Sequence, residues 1–188
     1  GAVIGSEVTK NAITSLAVAF IALAAYISFR FEYKIAISAL VSILHDLIMV
    51  LGFFSFFHLE IDASFLAAIL TVVGYSMNEA VVIFDRVREN TRTHRRTDSY
   101  EKLAHDSISQ SIHRSIYTLT TVLFACGALH FFGGDSTKNF SLVMLIGFIS
   151  GAYSSICVDT SLWVVWKNHT SHKRGPKAIE TEPAETEE

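Results

Sequence analysis

The sequence is poor in residues that mark several protein classes. Of its 188 residues only two are proline and two are cysteine, and 18% are charged. Two cysteines are too few for the disulfide framework of a small secreted domain, and an apolar content of 51% excludes a disordered chain. Soluble domains carry about 25% charged residues. The shortage of charge therefore argues against a surface that faces water.

An excess of positive charge is also missing. Fifteen lysines and arginines face 18 aspartates and glutamates, and five glutamates lie within the last nine residues, 180–188. A nucleic-acid binder normally shows a basic excess, so we expect no nucleic-acid partner. The sequence contains no glycine-rich phosphate loop, HExxH or CxxC motif. It therefore predicts a protein that is not an enzyme and that holds no cofactor or metal.

Long apolar runs are what the chain has instead. Three runs of 19 to 20 residues, 11–29, 115–134 and 139–158, contain no charged side chain. As a helix, each can cross about 30 Å of hydrocarbon. A soluble all-α protein would need shorter helices with one polar face. The sequence predicts an all-α membrane protein with five transmembrane helices, at about 11–29, 35–57, 63–85, 108–132 and 139–166.

Basic residues alternate between the two ends of the predicted helices. They are frequent in 30–34, 86–102 and 167–177, whereas 58–62 carries only acids and 132–138 a single lysine. Cytoplasmic loops collect lysine and arginine, so the N-terminus is expected outside and the C-terminus in the cytoplasm. Because the chain starts with Gly1 on the outer side, we expect an earlier part with another crossing. The remaining predicted segments are an outer lead (1–10), a basic cytoplasmic loop (86–107) and a disordered cytoplasmic tail (167–188).

Four ionisable side chains are expected inside the membrane: Asp46 next to His45, Glu79, Arg114 and Asp159. Such groups cost about 2.5–3.5 kcal/mol each on insertion scales, so each needs a partner or a water-lined cavity. Counted along the helices, Glu79, Arg114 and Asp159 share one depth in the cytoplasmic half. Asp46 lies nearer the middle of the second helix.

Helical spacing indicates which residues share a face. Small or polar stripes are predicted on helix four (Ser107, Ser111, Arg114, Thr118, Thr121), helix five (Gly147, Gly151, Ser155, Asp159) and helix three (Gly74, Asn78, Asp85, with Glu79 adjacent). Glycines four apart allow close helix packing. We therefore expect a bundle around a polar interior in which Arg114 faces Glu79, Asp159 or both.

Two interpretations of these charges are open. One is a static ion pair that fixes the helix register. The other is a proton relay of Glu79, Arg114 and Asp159, with Asn78 among the lining groups: Arg114 neutralises at most one acid, so the other acid is expected to hold a proton. For His45 and Asp46 a structural role is favoured, with participation in the relay as the alternative.

The segment 74–90, GYSMNEAVVIFDRVREN, resembles the SecF family of bacterial protein-export subunits. The motif residues are Gly74, Tyr75, Ser76, Asp85, Arg86, Arg88 and Glu89. Further similarity lies at 29–32, 44–46, 109–115, 133–134 and 147–155, so the resemblance covers essentially residues 1–166. It implies helices two to six of one six-helix half of a SecD/SecF-type transporter, related to the resistance-nodulation-division exporters.

The resemblance also implies a function. Members of the family associate with SecD and a SecY-centred channel in the bacterial cytoplasmic membrane, and they are held to use the proton gradient to help export unfolded preproteins. The family's relay acid and arginine fall on Glu79 and Arg114, although the family often has aspartate at the first position. Asp159 has no counterpart that can be carried over, and a further acid is expected from SecD.

Two alternatives to a proton-coupled export subunit are open. One is a non-catalytic membrane scaffold that stabilises a translocon complex through its glycine and hydroxyl faces. The other is a generic proton-coupled exporter of small molecules. Two carboxylates at one depth favour the export subunit, because a scaffold gains nothing from them.

Overall fold

The structure, a computed structural model, describes residues 2–92 and 99–173, which form helices joined by short turns. The helices are α1 (Ala2–Arg30), α2 (Tyr33–Phe56), α3 (Ala63–Thr91), α4 (Tyr100–Phe132), α5 (Asp135–Ser154) and α6 (Thr160–Lys173), and a π-helical turn, Ser155–Asp159, joins α5 to α6 without a break. The described chain thus contains five continuous helical rods, namely α1, α2, α3, α4 and the combined α5–π-turn–α6, that are long and apolar enough to cross a membrane. The predicted all-α membrane fold is confirmed.

Several boundaries differ from those predicted. The lead over 1–10 is helical from residue 2, since no proline interrupts the first turns. The basic loop predicted over 86–107 shrinks to 92–99, and its residues 93–98 lie outside the described ranges. Helix α6 extends into the tail predicted over 167–188, of which 174–188 lies outside the described residues.

Local contacts explain why the basic loop is short. At the end of α3, Arg86 pairs with Glu89 at 2.5 Å, and the Thr91 hydroxyl donates to the Val87 carbonyl at 2.6 Å. Ser99 then caps α4, because its hydroxyl accepts the Lys102 N–H at 3.2 Å. Both helices therefore continue beyond their apolar segments.

Helix α5 occupies the centre of the bundle, where it packs against α2, α3 and α4, whereas α1 lies at the edge on α2 and α3. Large side chains such as Phe54 and Phe84 fill the core, and each is 1% exposed. Large apolar side chains also cover the outside, among them Ile21, Phe124 and Val165. An apolar exterior of this kind suits contact with lipid rather than with water.

Two glycines of α5 bring this helix close to α3. A methyl group at Gly147 would overlap the Val72 side chain, and one at Gly151 would overlap the Ser76 hydroxyl. Both glycines are buried. The small residues predicted for helix packing thus face another helix of the same chain.

Gly147→Ala should therefore weaken the bundle. Overpacking at a close helix contact costs about 1–3 kcal/mol, and we expect the free energy of unfolding in detergent to fall by that amount. Gly127→Ala on α4 is the matched control, because its new methyl group would have no neighbour within 4 Å. Equal stability of the two variants would contradict the close contact.

Candidate functional site

A buried carboxylate, Asp46 of α2, joins three helices. Its side chain is 1% exposed. Oδ1 accepts the Ser150 hydroxyl of α5 at 2.7 Å, and Oδ2 accepts the hydroxyls of Ser76 (α3) and Ser154 (α5), each at 2.8 Å. The ring Nδ1 of His45 lies 3.3 Å from Oδ1. Both oxygens of this buried side chain thus have hydroxyl donors, as a buried polar group requires.

The second buried acid, Asp159, has the opposite environment. It is 0% exposed and neither carboxylate oxygen has a hydrogen-bond partner in the described protein. Asp46 is the acid that acts on it electrostatically. An ionised carboxylate without a donor or counter-charge is costly in such surroundings. Asp159 is therefore suited to the neutral, protonated form.

Asp159 ends the π-helical turn that begins at Ser155. The Thr160 hydroxyl donates to the Ser155 carbonyl at 3.0 Å, five residues back. A π-turn inserts one extra residue into a helical turn, and such turns are frequent at functional sites. The turn sets the direction of Asp159 relative to Ser150 and Ser154, which lie before it.

Glu79 of α3 is the third buried acid, at 2% exposure. It follows Ser76, a partner of Asp46, by three residues. One helical turn before it lies Tyr75, whose ring packs on Phe148 with centroids 4.5 Å apart. Within the described ranges no basic side chain forms an ion pair with Glu79.

The predicted contact of Arg114 with Glu79 or Asp159 is not formed. The Arg114 side chain is exposed and makes no ion pair with any residue that the structure describes. Helix α4 instead turns Ser115 inward, and one residue of helix corresponds to a rotation of about 100°. Arg114 therefore points away from the centre of the bundle.

The other polar or small residues predicted to line the interior are likewise partly buried and partly exposed. On α4, Ser107 and Ser111 are buried, with hydroxyls donating to carbonyls one turn back at 2.7 and 2.8 Å. Thr121 is exposed, and on α3 so are Gly74 and Asn78. The buried and exposed members of these stripes thus belong to different faces of the helices.

Several residues of the segment 74–90 connect α3 to its neighbours. Asp85 pairs with Arg30 of α1 at 2.9 Å. Arg86 Nε donates to Gln110 Oε1 of α4 at 2.6 Å, besides its pair with Glu89. Arg88 is exposed. Together with the hydrogen bond from Ser76 to Asp46, these contacts give α3 polar side-chain contacts with α1, α2 and α4.

Sequence reasoning named Ser76 only as a motif residue and missed Ser150 and Ser154, the other two serines that bind Asp46. Ser150 and Ser154 are four residues apart and run beside the stripe of Gly147 and Gly151, a spacing that was available as a signal.

In the described ranges no cluster of three His, Cys, Asp or Glu side chains is arranged to hold a metal ion.

These features define a class: a multi-pass membrane protein whose helical interior carries unpaired or hydroxyl-bonded acids. Residues 1–169 match the family described as protein export membrane protein SecD/SecF, C-terminal. The chain belongs to this family and corresponds to the C-terminal membrane portion of SecF.

Similar proteins are SecF subunits and SecDF fusions. The SecF subunit of Alicyclobacillus acidocaldarius is 40% identical over 93% of this chain and 58% of its own length, and that of Acidaminococcus fermentans is 45% identical over 89% and 57%. The Bacillus subtilis translocase subunit SecDF is 41% identical over 90% of the chain and 23% of its own length. The chain thus spans little more than half of the SecF relatives.

Solved structures agree with the fold. The crystal structure of SecDF from Thermus thermophilus has a TM-score of 0.84 and 37% identity, and the match covers 89% of this chain and 23% of that one. A SecDF structure in a super-membrane-facing form has a TM-score of 0.85 and 35% identity, with coverages of 92% and 23%.

The Asp46 contacts lead to a double-mutant prediction. Ser150→Ala should lower the free energy of unfolding by about 1–2 kcal/mol, because one hydrogen bond to a buried carboxylate is lost. In an Asp46→Ala background the same serine substitution should cost almost nothing. Ser161→Ala, at an exposed position on α6, is the control. Additive effects of Asp46→Ala and Ser150→Ala in detergent unfolding would contradict the link.

Proposed function

We propose that this chain is the membrane part of a SecF-type translocase subunit that uses the proton motive force to assist preprotein export. Family membership supports the translocation role, and the buried acids support the coupling to protons. The coupling to protons rests on the environment of Asp159, whose carboxylate oxygens are fully buried without a donor. The alternative of a static ion pair does not explain a buried carboxylate that has no counter-charge.

The acids take different roles in this proposal. Asp46 holds the helices in place through its three serine hydroxyls. Glu79 and Asp159 gain and lose protons, because each is buried without a paired base in the described chain. No cofactor is required, since the gradient itself supplies the energy.

Arg114 needs a counter-charge from a partner protein in this proposal. An arginine within the apolar part of a membrane helix needs a counter-charge, and no described residue supplies one. We propose that this acid comes from SecD, as the SecDF fusions among the relatives suggest. Asn78, also exposed, would lie in the same interface. The SecY-centred channel, the unfolded preprotein and the lipid bilayer complete the proposed partners.

The orientation follows from the distribution of basic residues, with the N-terminus of this chain outside and the C-terminus in the bacterial cytoplasm. Asp135 and Ser99 flank opposite ends of α4 and provide the test. In a full-length protein freed of other cysteines, Asp135→Cys should react with an impermeant thiol reagent from outside and Ser99→Cys only after the membrane is opened. Reaction of both from outside would refute the topology.

Glu79→Gln tests the coupling itself. The amide keeps the shape of the side chain but cannot release a proton, so full-length protein should assemble normally and lose its response to a proton gradient. Export is measured in membrane vesicles at equal protein abundance, with and without an imposed gradient. Glu60→Gln, an exposed change at a residue without an ion pair in the described chain, is the matched control, and Glu79→Asp should keep part of the response.

The scaffold alternative predicts the reverse order of effects. Gly151→Leu would then impair export through lost packing, and Glu79→Gln would have no effect. An unchanged gradient response in Glu79→Gln would remove the relay role of this residue. The inward packing of Gly147 and Gly151 against α3 leaves these glycines unable to provide a docking face for a partner.

A further inference from the structure

A polar stripe runs along α2 towards the buried acids. Lys34, Ser38, Ser42 and Asp46 follow one another at steps of four residues, and each is at most 7% exposed. Residues four apart lie on one helix face. The stripe is therefore continuous from the end of the helix near Glu32 to the centre of the bundle.

This stripe faces the rod formed by α5, the π-turn and α6. At one end the Lys34 amine donates to the Thr170 hydroxyl at 2.8 Å, and at the other end Asp46 accepts from Ser150 and Ser154. The two rods are antiparallel and in contact along this length. Ser38 and Ser42 therefore lie at the levels between Thr170 and Ser154, where Asp159 and Trp163 are found.

Polar atoms in this intermediate stretch have no partner within the described protein. They are both carboxylate oxygens of Asp159, the indole N–H of Trp163 and the hydroxyls of Ser38 and Ser42, all in residues that are at most 3% exposed. Buried polar groups in proteins are bonded to protein or to ordered water. Ordered water needs two to four polar neighbours at a site, and five polar atoms without a protein partner lie in this stretch.

An open cavity lies beside the Lys34 end of the stripe, where it is lined by the neighbouring residue Ile35 of α2. The cavity has a volume of about 730 Å³, and Arg30, Glu32, Trp163 and Lys167 are among the residues that line it. Lys167 pairs with Glu32 at 2.5 Å and lies 5.9 Å above the Trp163 ring. Trp163 thus lines the cavity, and its indole N–H is one of the buried polar groups without a partner in the described protein.

We propose that ordered water fills the contact between α2 and the α5–α6 rod and connects this cavity to Asp159, forming the proton route to the centre of the bundle. Each water passes one proton on as it receives another. At the inner end hydronium gives a proton to the Asp159 carboxylate and leaves as water, and release reverses the step. The route rests on the proposed coupling to protons, whereas the water itself does not.

Hydroxyl-radical footprinting tests the water directly, since radicals formed in bound water oxidise adjacent side chains. Ser42→Cys and Ala39→Cys are compared in full-length protein without other cysteines. The two positions lie on one helix and are 2% and 1% exposed, but Ala39 packs in the apolar core. We expect oxidation several-fold faster at Ser42→Cys. Equal rates would overturn the proposal.

A second measurement tests the proton route. Ser42→Val replaces the hydroxyl by bulkier apolar groups, and we expect a several-fold weaker response of export to the proton gradient, with gradient-independent export unchanged. Ser161→Val at an exposed site of α6 is the control, and protein abundance is compared in all variants.

The outcomes separate this proposal from the proposed function. A full gradient response in Ser42→Val, together with loss of the response in Glu79→Gln, would overturn the route and leave the coupling standing. Absence of a gradient response in the unaltered protein would overturn the coupling and with it the route, while the footprinting result would still decide whether water is present.

Discussion

The hydrogen bonding of one carboxylate determines how this bundle is organised. Asp46 accepts hydroxyls from α3 and α5, so three helices meet at a group that is stable in the membrane only while its donors remain. The close approach of α5 to α3 at Gly147 and Gly151 places these donors within reach. Packing and polar bonding thus require one another: the glycines bring the helices together, and Asp46 fixes their register.

The contrast between Asp46 and Asp159 gives the interior its chemical asymmetry. Two acids of the same type lie near each other, yet one is surrounded by donors and the other by none. Asp46 therefore joins helices through its hydrogen bonds, whereas Asp159 has two buried acceptor atoms without a donor in the described chain. The proposed proton exchange at Asp159 rests on this contrast.

The sequence predicted the helices well because charge-free runs of about 20 residues have few alternatives to crossing a membrane. Side-chain directions were harder to predict. Arg114 was assigned to the inner face, but a shift of one residue turns a side chain by about 100°, and Ser115 is inward instead. The bonding of the surrounding serines to Asp46 was not predicted, because a serine in a membrane helix can also bond to its own backbone, as Ser111 does. The SecF resemblance supplied the family but not these contacts.

The π-turn has a consequence for how this fold tolerates changes in length. Because the turn holds one residue more than an α-helix needs, a single deletion within 155–159 can convert it to ordinary helix without breaking the rod. The residues beyond would then keep their positions relative to α2, because only the extra residue is removed. Trp163, Lys167 and Thr170 would keep their contacts, whereas the same deletion in a plain α-helix would rotate everything beyond it by about 100°. The turn therefore makes 155–159 a place in this helical rod where a change of one residue in length can be absorbed.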